Sequence, residues 1–127
     1  MRTLRRLRHD LALVARSTSG SLPETVAPRI SLPIAAVADA MAGFMRAAGT
    51  AFVAGQAAPA PQPIRLTLGA YEAEMAALRG DGTLRALPDE AVGRLFALAF
   101  VLEELAGDLT DLAERIDEHR RGTAVPA

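Results

Sequence analysis

Histidine and carboxylate are the side chains here best able to do chemistry, and the two histidines, His9 and His119, stand near opposite ends of a 127-residue chain. His9 and Asp10 could give a metal two ligands, but a site needs further His or acid ligands converging from other helices. His119 follows Ile116 by three residues, so the Glu-x-x-His spacing of helical metal sites is missing. Glu104, Asp108 and Asp111 form a ladder along one helix face that could hold a cation or pair an acid with a base. The simpler reading is a solvated face, with Asp111 and Arg115 as a helical ion pair. Ser17, Ser19 and Ser21 flank Gly20 and suggest a phosphate cradle, yet the glycine spacing and the lysine of such loops are absent. No serine, histidine and acid fall into a spacing that suggests a triad. The expectation is a protein that is not an enzyme and has no cofactor and no metal.

The residue types that are missing narrow the field further. All fourteen basic residues are arginine. Without lysine there is no Walker-type phosphate loop, no Schiff base and no pyridoxal site. Without cysteine there is no disulfide framework, thiolate zinc site or thiol nucleophile. Net charge is −1, but five arginines against Asp10 occupy residues 1–16, while nine acids against four arginines occupy residues 86–121. Aromatics are 4% and tryptophan is absent, so bases would find little to stack on and nucleic acid is not an expected partner.

The elements that position these groups are helices. Leu95, Leu98, Leu102, Leu105, Leu109, Leu112 and Ile116 repeat at spacings of three and four, the seam of a helix packed on other helices. At about 100° per residue, Glu104, Asp108, Asp111 and Arg115 cluster opposite that seam. Pro88, Asp89 and Glu90 open this helix and Arg120, Arg121 and Gly122 close it, with each charge suited to its end of the helix dipole. The predicted organisation is a single all-α domain, an antiparallel bundle of about four helices with the long C-terminal helix at its centre. A basic amphipathic helix covers 1–16, a loop 17–31, a helix 32–54, a Pro/Ala linker 55–63, a helix 64–79 and the long helix 88–121. Ser31 is the expected N-cap of the second helix, with Pro33 in its first turn. Small residues Ala42, Gly43, Ala47 and Ala51 make that helix the expected partner of the leucine seam. Leu68, Tyr71, Met75 and Leu78 are the expected inward residues of the third.

Two surfaces invite partners. Arg2, Arg5 and Arg6 point away from the apolar face of the first helix and suit anionic lipid headgroups. Phe96 and Phe100, four apart, project from the side that later carries the acids, so that half of the helix should be covered twice, inside a bundle or against another chain. Phe44 and Phe52 are read with them as interface residues, or as walls of a small-molecule pocket with Phe96. Ile34 to Val53 is the nearest approach to a membrane span, and Asp39 and Arg46 within it favour a helix of a soluble domain.

Arg94 to Leu105 (RLFALAFVLEEL), followed by Asp108 to Arg115 (DLTDLAER), resembles the cytoplasmic helical region of the FUSC family, the fusaric acid resistance and aromatic acid exporter-like transporters of bacteria. The opening Leu4 to Leu11 (LRRLRHDL) resembles the start of that region, and Tyr71 to Arg79 with the turn after it also fits. The resemblance implies an efflux protein of the inner membrane, with this domain on the cytoplasmic face between two sets of membrane helices. The partners it implies are those membrane helices or an anionic lipid surface, and its role is assembly or gating without catalysis. The chain would then be an excised domain or the product of a shortened gene. The alternatives are a free-standing helical interaction protein that forms a homo-oligomer, and a small-molecule-binding bundle.

Overall fold

The structure, a computed structural model, describes residues 24–124. The predicted basic helix over 1–16, with Arg2, Arg5, Arg6 and His9, lies outside the described residues. Among those described there are three α-helices, α1 (Ala27–Ala54), α2 (Gln62–Gly80) and α3 (Asp89–Ala124), one 3-10 turn (Thr83–Ala86) and no strand.

The all-α class follows from the composition, but α1 begins earlier than its pattern predicts. Pro28, which falls in the expected loop 17–31 and reads there as a helix breaker, sits in the first turn, where its missing N–H costs nothing. Ser31 is not a cap. It lies one turn inside and donates its hydroxyl to the Ala27 carbonyl, and Pro33 is taken into the helix. At the other end Gly55 adopts φ 68°, a left-handed conformation that favours glycine, and its N–H with that of Gln56 caps the last carbonyls. The second left-handed glycine, Gly82 at φ 83°, follows α2 and starts the 3-10 turn, which buries Leu84. Asp81 tightens that turn by accepting the Thr83 N–H at 2.9 Å. Helix α3 continues through Gly122 to Ala124, three residues past its predicted end.

Helix directions follow from contacts between ends. Arg29 at the start of α1 bonds Glu74 near the end of α2 at 2.7 Å and also reaches Asp81, so these helices are antiparallel. Arg79 near the end of α2 lies over the Phe96 ring near the start of α3, and Phe52 near the end of α1 meets His119 near the end of α3. Helix α2 therefore runs against both α1 and α3. The Pro/Ala linker is tied down by the Ala58 N–H, which donates to Asp117 Oδ1 at 2.9 Å.

Between the helices lies one apolar core. Leu95, Leu98, Leu102, Leu105, Leu109 and Ile116 of α3 are buried, along with Ile64, Leu68, Tyr71, Met75 and Leu78 of α2. Each such side chain contributes roughly 1.5–3 kcal/mol on leaving water. Leu112 is only partly covered, and Ala113 takes the buried place beside it. From α1 come Ile30, Val37, Met41, Phe44 and Ala48. Of the predicted small-residue face, Ala51 is buried and Gly43 half-buried while Ala42 and Ala47 are exposed, so α1 meets its neighbours mainly through larger side chains. Asp108 departs from the sequence reading too. It is 5% exposed and engaged in polar contact rather than solvated.

Candidate helix-docking groove

Helices α2 and α3 carry a second pair of stripes along the edge of the core, which Leu68 and Met75 share with it. On α2, Arg65, Leu68, Glu72, Met75 and Arg79 recur at spacings of three and four. Phe96, Phe100, Glu103, Gly107 and Thr110 do the same on α3. Because the helices are antiparallel, the stripes run side by side and frame two adjoining hollows. One, of about 280 Å³, is lined by Glu72, Met75, Arg79, Phe96, Ala99, Phe100 and Glu103. The other, of about 230 Å³, is lined by Arg65, Leu68, Glu72, Glu103, Ala106, Gly107 and Thr110. Glu72 and Glu103 line both and so stand where the two meet. The result is one groove following about fourteen residues of α3, or about 21 Å at 1.5 Å per residue.

Its walls are aromatic and its middle is acidic. Phe96 is 43% exposed and Phe100 63%, an uncommon outlay of apolar surface for two neighbouring turns of one helix. The Arg79 guanidinium lies 5.2 Å from the Phe96 ring centroid, a cation on the negative face of the ring. The facing Glu103 carboxyl raises the Glu72 pKa above the ordinary value of 4.5, because a proton shared between the two carboxyls is favoured over two like charges. In the core, Tyr71 is fully buried and burial pushes its phenol up to about 12. Its hydroxyl has no hydrogen-bond partner among the described residues.

The other predicted interface residues divide. Phe44 is 5% exposed and lies in the core with Val37, Met41 and Ala48, as the spacing of three and four along α1 implies, so it is a packing residue and not an interface residue. Phe52 is 55% exposed and packs against His119 in a tilted ring contact with centroids 5.2 Å apart, beside a separate hollow of about 110 Å³. The structure therefore does not bring Phe44, Phe52 and Phe96 together around one cavity. No group of three or more metal-binding side chains occurs among the described residues. Sequence reasoning found the phenylalanines but missed the carboxyl pair, although the stripe from Arg65 to Arg79 is present in the spacing.

No family model, no curated protein and no solved structure matches this chain.

Proposed function

We propose that the chain is a non-catalytic helical packing module, the cytoplasmic helical region of a FUSC-like inner-membrane efflux protein, whose α2/α3 groove receives a helix during assembly or gating. The observation carrying this reading is the groove itself. Two antiparallel stripes at heptad spacing, with Ala99, Ala106 and Gly107 leaving room between larger side chains, fit the face of another helix. A small-molecule role fits less well, since each hollow falls below the roughly 300–1,000 Å³ of ordinary ligand pockets and lies open. The FUSC setting rests on the sequence resemblance of residues 94–105 and 108–115. In that setting the arginine-rich N-terminal sequence, with Arg2, Arg5 and Arg6, suits anionic lipid headgroups.

The absence of cysteine makes the test clean. A Phe100→Cys chain labelled with an environment-sensitive fluorophore should emit to the blue when concentrated or mixed with inner-membrane vesicles. Emission that stays at its aqueous wavelength under both conditions removes the reading.

A further inference from the structure

On α1 the face turned away from α2 and α3 carries a stripe of its own. Leu32, Ala35, Asp39, Ala42, Arg46, Gly49 and Val53 recur at spacings of three and four, and every one is exposed, with Leu32 at 79% and Val53 at 88%. Arg46 makes no ion pair among the described residues, whereas Arg29 on the buried side makes two. The small residues Ala35, Ala42 and Gly49 allow another helix to approach closely.

The charges on this stripe match those of the groove in sign and spacing. The carboxyls of Glu72 and Glu103 sit mid-groove, and Arg79 and Arg65 each stand seven residues from Glu72 along α2. On α1, Arg46 and Asp39 are also seven residues apart, about 10 Å. With Arg46 over the carboxyl pair, Asp39 falls at the level of a groove arginine whichever way the helix runs. We propose that the occupant of the α2/α3 groove is α1 of a second copy of this chain, with Arg46 seated on Glu72 and Glu103. This deepens the packing reading and rests on it. No α1 residue lines the groove and the stripe faces away from α2 and α3, so each copy offers a donor helix on one side and an acceptor groove on the other. Such head-to-tail contacts extend rather than close at two. A guanidinium between two carboxylates makes charge-assisted hydrogen bonds, and the phenylalanines beside them keep water out.

Sedimentation equilibrium of the full chain between about 10 and 500 μM tests this. The wild-type mass should climb steadily without a plateau at the dimer. Arg46→Glu and Glu103→Arg should each weaken association by about tenfold or more, near 1.4 kcal/mol, and an equimolar mixture of the two should recover it because the opposite charges meet again. Circular dichroism checks that both fold, and Arg46→Gln and Glu103→Gln serve if the reversals do not. A chain that stays monomeric throughout, variants that associate like the wild type, or a mixture that recovers nothing would each overturn the proposal. So would a monomer whose α1 binds anionic vesicles, an outcome that leaves the packing reading standing if the position-100 label turns blue there. A label that stays in water everywhere removes both.

Discussion

Arg29 joins α1 to the end of α2 by holding two acids at once, Glu74 through its Nε and Asp81 through a terminal nitrogen. Asp81 is held down from an ordinary 3.8 to about 2, first by the Thr83 hydroxyl and then by Arg29. A carboxylate whose pKa is depressed by folding contributes stability that is complete above its unfolded value and is lost as the pH falls toward the folded one. Glu72 has the opposite sign, because a pKa raised by Glu103 favours the protonated fold, and stability declines as the pH rises from its unfolded value through the folded one. Urea midpoints measured from pH 2 to 7 should therefore fall toward the acid end between about pH 4 and 2. Arg29→Ala should flatten that limb, and Glu72→Gln should remove the decline on the other side. Identical profiles in all three chains would contradict these assignments. At this scale the sequence was only partly legible. Phe96 and Phe100 stood out by their spacing, but the burial of Asp108, on the side opposite the seam, did not, because a helix face is wet or dry according to what packs on it. The Arg29 cluster joins residues about fifty apart and leaves no local trace.

Periodicity was a better guide to helices than to their ends. The leucine seam of α3 and the inward set of α2 followed from spacings of three and four, since the burial of a helix face is written in its repeat. Ends depend on single residues whose meaning is positional. Pro28 reads as a breaker until it is seen in a first turn, and Ser31 reads as a cap until the helix is seen to start before it. The 3-10 turn around Leu84 carries too few residues to show any period. Partial cover also separates residues that the repeat treats alike. Leu105→Ala, at 1% exposure, should cost about 2–5 kcal/mol in urea unfolding, while Leu112→Ala, with one side toward water, should cost clearly less. Equal losses would mean that the flank of α3 at Leu112 is as closely packed as its centre.

Taken whole, the molecule is a three-helix core among its described residues, with one open groove and one open helix face. Its composition pointed to that class, and its lack of lysine and cysteine pointed away from several catalytic classes. The groove was not legible, because it exists only once α2 and α3 lie antiparallel with Glu72 beside Glu103. The central claim is that Phe96 and Phe100 are exposed in one copy so that they can be covered by a helix of another. An interface of that kind ties stability to concentration, since only the folded chain can associate. The direct measurement is the thermal midpoint at increasing protein concentration, for the wild type and for a Phe96→Ser, Phe100→Ser double variant. The wild-type midpoint should rise with concentration, and the variant should fold, start lower because Phe96 is more than half covered within one copy, and show no rise. A wild-type midpoint that ignores concentration, or a variant midpoint that rises with concentration as steeply as the wild type's, would contradict the account.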